Sequence, residues 1–222
     1  MSVSGGPDIS EQGLVLALDA ANIKSYSGSG ATWTDLSGNE YNGTLISGST
    51  FNGANGGSVV FDGVDDYVTL GNTLASSFSS NAVTVSCFAR ISAVVSKNTL
   101  ISFNGGYNFF LPGNRLTTTY QLYWDGITSW KNGTKSDWTI NQWYHFVWTI
   151  SGTTLTFYVN GVPDGTTILA TTFSPSAETR IGFANAGEYA TGNIANLQVY
   201  NRALTPQEIL QNFNAQRSRF GI

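Results

Sequence analysis

The sequence predicts an all-β protein, a two-sheet antiparallel sandwich or jelly roll with one short C-terminal helix. Three observations carry this reading. Apolar and polar residues alternate with period two through several runs, as half-buried strands require. Turn signals (SGN, NGG, DG, PGN, NGT, SGT, NG) recur about every eight to twelve residues. Only one stretch, TPQEILQNF at 205–213, reads as a helix.

Residues 1–12, MSVSGGPDISEQ, lack apolar periodicity and are expected to form a flexible arm ahead of a single domain at 13–213. FDGVDDYVTL at 61–70 reads as strand–turn–strand, with Asp62, Asp65 and Asp66 beside Gly63. In AVTVSCFARI, Val83, Val85, Cys87, Ala89 and Ile91 share one face and Thr84, Ser86 and Arg90 the other. In WYHFVWTI, Tyr144, Phe146, Trp148 and Ile150 alternate with His145, Val147 and Thr149, and TLTFYVNG alternates Leu155, Phe157 and Val159 with polar neighbours. The runs at 83–91, 143–150 and 154–160 are expected as central strands, with SGTT at 151–154 closing a hairpin. At the helix start Thr205 is placed to cap, Pro206 suits the first turn, and Glu208 completes a capping box. Residues 214–222 are left as a tail.

The 222 residues are 41% hydrophobic and 13% aromatic, which is enough for a sizeable core. Charged residues are only 11%, about half the usual share, so the surface is one of hydroxyls and amides. A net charge of −4 offers no footprint for nucleic acid. No run is long enough for a membrane helix, and the start has neither the basic nor the apolar region of a signal peptide. Cys87 is the single cysteine, which excludes an intrachain disulfide.

Catalytic constellations are poorly represented. His145 is the single histidine and lies within a strand pattern, and no G-x-S-x-G elbow accompanies it. The glutamates at 11, 40, 178, 188 and 208 offer no closely spaced pair of the kind glycoside hydrolysis uses. A zinc site lacks ligands. The expectation is therefore a protein that is not an enzyme and has no cofactor. Asp62, Asp65 and Asp66 leave two readings open, a calcium site or a turn in which each Asp bonds neighbouring amides, and the turn is preferred. The N-G-T triplets at Asn42 and Asn132 are read as Asn-Gly turns rather than glycosylation acceptors.

A binding surface remains. The segment FNGGYNFFLPGNRLTTTYQLYWDGITSWKNGTKSDW at 103–138 sets aromatic rings among amides and hydroxyls. Flat rings stack on the C–H faces of sugars while polar neighbours take their hydroxyls. Tyr107, Tyr123, Trp124, Asp125 and Trp130 are the candidate ligand-binding residues. The alternative for each ring, Trp138 included, is a place in the second sheet or in a subunit contact of a homo-oligomer. In the tail, Arg217 and Arg219 are candidates to pair with carboxylates of a partner, and Phe220 and Ile222 to fill a pocket on it.

In order, GLVLALDAAN, WTDLSGNEYNGTL, FDGVDDYVTL, AVTVSCFARI, QWYHFVWTISGTTLTFYVNG and GNIANLQVYNRALTPQEI resemble the blocks of the laminin-G-like, concanavalin A-like lectin/glucanase jelly roll over about residues 13–213. This resemblance implies the concanavalin A-like fold and no one function, because the sandwich serves lectins, adhesins, hydrolases and virion parts. Two departures stand out. Phe88 replaces the family's usual Trp, and Ala195-Asn196 stand where the family has Asp-Glu. An acidic residue there often helps hold a structural cation in related sandwiches, so the departure weighs against calcium.

The opening LVLALDAANIKSYSGSGATWTDLSGN and the ending NAQRSRFGI also resemble structural proteins of tailed bacteriophages. That resemblance implies a non-catalytic virion-surface protein, made in the host cytoplasm, acting in capsid decoration or alongside a fibre. Its partners would be capsid or other virion proteins. The alternative is a carbohydrate-binding adhesion module that recognises host or environmental glycans.

Overall fold

In the computed structural model, alternation translates directly into strands. The structure describes residues 8–71, 73–78, 81–93, 98–103, 107–111, 121–124, 131–173, 175, 178–184 and 187–222. In chain order the strands are β1 (Leu14–Asp19), β2 (Thr32–Trp33), β3 (Gly43–Ile46), β4 (Thr50–Asn52), β5 (Ser58–Asp62), β6 (Tyr67–Gly71), β7 (Ala82–Ile91) and β8 (Asn98–Phe103). They continue with β9 (Tyr107–Leu111), β10 (Gln121–Trp124), β11 (Lys131–Asn132), β12 (Tyr144–Ser151), β13 (Thr154–Val159), β14 (Val162–Ile168), β15 (Thr179–Ile181) and β16 (Thr191–Tyr200), followed by α1 (Pro206–Gln216).

Among the described residues the strands form two eight-stranded sheets. The back sheet runs β14-β13-β12-β7-β16-β5-β4, with β1 also on β16, and the front sheet runs β11-β10-β9-β8-β15-β6-β3-β2. All pairings are antiparallel. The three runs expected as central strands are β7, β12 and β13, each flanked on both sides, and SGTT closes the β12–β13 hairpin with Ser151 opposite Thr154. Val85, Cys87, Phe146, Trp148, Phe157 and Leu197 from the back sheet meet Val68, Ile101, Phe103, Phe109 and Ile181 from the front in one core.

The WTDLSGN stretch works through a buried carboxylate. Asp35 accepts from the amides of Ala17 (2.8 Å), Ser37 (2.9 Å) and Tyr41 (3.2 Å) and from the Ser37 hydroxyl (2.7 Å). Asn42 Oδ1 in turn accepts from the Asp35 amide at 2.9 Å. The stretch 35–42 is thereby held in shape and tied to β1.

The period-two pattern implies that the polar side of β7 and β12 meets solvent. It does not. Thr84, Ser86, His145 and Val147 are buried, because α1 and the residues after it cover the outer face of the back sheet. Thr205 caps the helix as expected: its hydroxyl accepts from the Glu208 amide at 3.3 Å, and Glu208 returns a bond from the Thr205 amide at 2.9 Å. The helix then runs past the expected end at 213 and passes into a 3-10 turn, Arg217–Phe220.

In both expected extensions, the described residues are bonded to the rest of the protein. Ser10 donates its amide to Asn212 Oδ1 (2.8 Å), Gln211 donates to the Asp8 carbonyl (2.6 Å), and Arg202 donates to the Gln12 carbonyl (2.8 Å). Residues 8–12 are therefore bound to the helix region rather than free. The tail 214–222 is likewise part of the packed structure.

Candidate functional site

The candidate site is the outer face of the front sheet. Register places Thr44, Thr69, Arg180, Ser102, Asn108 and Tyr123 in one row across β3, β6, β15, β8, β9 and β10. The adjacent row, Leu45, Val68, Ile181, Ile101 and Phe109, is buried in the core. Successive residues of a strand point to opposite faces, so Thr44, Thr69 and Arg180 are turned outward, and Ser102 and Asn108 lie on the same side but buried.

Around Arg180 the side chains form a polar pair in an aromatic frame. Its guanidinium pairs with the Glu178 carboxylate, and Glu178 also accepts from the Thr69 hydroxyl at 2.7 Å. The guanidinium carbon lies 5.2 Å from the Phe183 ring centre and 5.9 Å from that of Tyr67. Phe183 stacks on Tyr189 at 4.6 Å and tilts against Tyr67 at 5.5 Å. Two back-bonds seat this frame on β8: the Ser102 hydroxyl donates to the Phe183 carbonyl (2.6 Å) and the Thr99 hydroxyl to the Glu188 carbonyl (2.7 Å). Tyr67, Arg180, Phe183 and Tyr189 are all part-exposed. The hydrogen bond from Arg180 holds the Glu178 carboxyl below its ordinary range, so it is ionised at neutral pH.

The sequence-derived ligand residues fall partly on this sheet. Tyr123 stands in the row of Arg180, and Tyr107 and Trp124 are cross-strand partners in β9 and β10. Asp125 and Trp130 lie outside the described residues. Trp138 goes to the core side, packing on Tyr144 (4.9 Å) and Phe146 (5.4 Å). Glu178, Arg180, Phe183 and Tyr189 were not singled out from the sequence. The available signal was the alternation in TRI at 179–181, which turns Arg180 away from the buried Thr179 and Ile181.

The tail residues proposed for docking lie against the protein's own back sheet. Phe220 is buried, stacked on Phe88 at 4.4 Å and against Trp143 at 4.8 Å. Arg219 pairs with Asp19 (2.7 Å) and donates to the carbonyls of Asn55 (2.5 Å) and Gly57 (2.6 Å). Ile222 packs against the same apolar cluster, and Arg217 lies 5.5 Å over the Phe213 ring. These groups serve the protein's own back sheet because an apolar outer face there needs a cover. The family departures belong to the same cover. Ala195 sits in the cluster with Phe88, and Asn196 accepts from the Phe88 amide (2.9 Å) while donating to Gln216.

His145 lies beneath this cover, stacked on Phe88 (4.5 Å) with Phe213 beside both rings (5.8 Å), and with Nε2 at 2.8 Å from the Ser86 hydroxyl. Burial pushes its pKa down to about 3. Asp62, Asp65 and Asp66 bring carboxylate oxygens within 4.8 Å of one another. Asp66 accepts from the Asp62 amide (3.1 Å) and Asp62 from the Val64 amide (2.8 Å), the local bonding of a turn. Desolvation raises the Asp66 carboxyl above its ordinary range.

Residues 62–210 match the family model described as the concanavalin A-like lectin/glucanases superfamily. No curated protein sequence matches this one. Among solved structures, domain 4 of AbnA, a GH43 extracellular arabinanase from Geobacillus stearothermophilus in complex with arabinotriose, is similar. Its TM-score is 0.72 and its identity 20%, covering 92% of this chain and 100% of that one. The binding domain of botulinum neurotoxin DC in complex with SialylT gives 0.70 at 16% identity, over 93% and 52%. Trypanosoma rangeli sialidase in complex with sialic acid gives 0.66 at 17% identity, over 93% of this chain and 33% of that one. At such identities the likeness is one of fold.

Proposed function

Since the chain belongs to the concanavalin A-like lectin/glucanases superfamily, we propose that it is a non-catalytic glycan-binding module whose front-sheet face receives sugar. One observation carries this reading: the Arg180–Glu178 pair framed by Tyr67, Phe183 and Tyr189. The rings offer flat apolar surface to sugar C–H groups, while the guanidinium donates to hydroxyls and the carboxylate accepts from them. Glu178 is held ionised by Arg180, which is the wrong state for a general acid on a glycosidic oxygen. The fold's likeness to an arabinanase domain in complex with arabinotriose and to a toxin binding domain supports the same direction.

A glycan array read with wild type, Arg180→Ala and Tyr189→Ala tests it. Wild type is expected to bind a defined glycan class, and each variant to weaken binding at least tenfold while melting nearly as wild type. An array without wild-type binding to any glycan would sink the proposal. The second reading, display of this module on a tailed-phage particle, rests on the resemblance of the N- and C-terminal stretches to virion proteins. Arg219 and Phe220, the expected docking residues, make contacts within the protein itself. Electron microscopy of purified particles, with the protein absent from them, would remove it.

A further inference from the structure

We infer that a groove on the back-sheet side, between residues 135–142 and the β13–β14 turn, is a separate subsite for a short neutral oligosaccharide. This rests on the glycan-binding reading but not on the front-sheet face. The groove encloses about 460 Å³, within the range of small-ligand sites.

Its walls are pinned before any ligand arrives. Asp164 accepts from the Thr134 amide (3.1 Å), the Thr134 hydroxyl (2.7 Å) and the Lys135 amide (2.8 Å), bracketing that segment to β14. The Tyr144 hydroxyl accepts from the Thr139 amide at 3.0 Å. Across the groove, Asn160 (φ 51) and Gly161 (φ 79) make the left-handed pair of a type I′ turn. Asn160 Oδ1 ties that turn to β12 by accepting from the His145 amide at 2.9 Å. Fixed walls lower the ordering cost of binding.

The lining selects the ligand class. Lys135 is already matched by Asp137 at 2.6 Å and sits 5.2 Å over the Trp138 ring, so an acidic group meets no unmatched cation. Asp164 is already engaged by three donors, and Asp137 is the one other carboxylate of the lining, so the lining does not assemble a metal site. A hydroxyl, in contrast, can donate to Asp137 and accept from Lys135 or Gln142 at once. Val159, Val162 and Pro163 supply apolar surface beside these groups for the C–H face of a ring.

The test titrates the isotope-labelled protein with neutral di- to tetrasaccharides of arabinan, xylan, galactan and glucan, and with sialyllactose. The backbone amides are followed by NMR. At least one neutral probe is expected to move the amides of Thr139, Gln142 and Asn160, while sialyllactose leaves them in place. Val162→Trp, at a position 62% exposed and so clear of the core, is expected to abolish those movements. The pair Asp137→Ala and Gln142→Ala should weaken them at least tenfold. Shifts confined to front-sheet amides would overturn the groove and leave the glycan reading standing. Groove shifts with sialyllactose alone would overturn its neutral class. No shift with any probe at millimolar concentration would end both.

Discussion

On the back sheet, Phe88 lies between His145 and Phe220, with no exposed surface. On the front sheet, the Phe183–Tyr189 stack lies over β8 with its edges in solvent. Both are aromatic stacks on the outside of a sheet. The difference is the cover. Helix α1 and the turn after it turn one outer face into a second core, while the other keeps rings and an ion pair at the surface. Burial makes the first face a determinant of stability. Partial exposure leaves the second free to exchange water for a ligand.

Replacement on each face sharpens the contrast. Phe88→Ala is expected to cost about 3–5 kcal/mol, the range for a large core aromatic, whereas Tyr189→Ala should cost about 1 kcal/mol or less. Equal losses in denaturant melts would break the comparison. Deletion of 217–222 belongs with Phe88, since it uncovers that ring and removes the Arg219–Asp19 pair. A truncated protein that melts like wild type would show the cover to be dispensable.

A smaller effect follows from pH. His145 has a folded pKa of about 3 against 6.5 in its ordinary state, so the unfolded chain binds the extra proton. This contribution is complete above pH 6.5 and is lost as pH falls toward 3, at a slope of up to about 1.4 kcal/mol per pH unit. His145→Gln should flatten that slope, and an unchanged slope would show that other groups set acid sensitivity. No titrating histidine of this kind lies on the front sheet, because His145 is the chain's single one.

The smallest expected effect concerns the Asp turn between β5 and β6. If Asp62 and Asp66 act by closing the turn on local amides, excess chelator leaves the melting temperature unchanged. Bound calcium would instead add about 2.7 kcal/mol at a hundredfold excess over its dissociation constant. A drop on chelation that calcium restores would make the turn a metal site.

The sequence by itself determined what depends on near neighbours. Period-two alternation marked β7, β12 and β13, because a pleated strand separates its faces within two residues. The capping box at Thr205–Glu208 and the amide-bonded Asp turn were legible for the same reason, since each closes within five residues of chain. The tertiary structure alone decided which faces meet water. Alternation shows that Ser86 and His145 share a side, not that Phe213 will lie over it. It likewise leaves Phe220 looking like a free tail. The row from Thr44 to Tyr123 needs the registers of six strands, and the groove needs residues 135–142 beside 160–164. Such sites are juxtapositions of distant segments, set by which surfaces the whole chain must bury, and no local pattern encodes them.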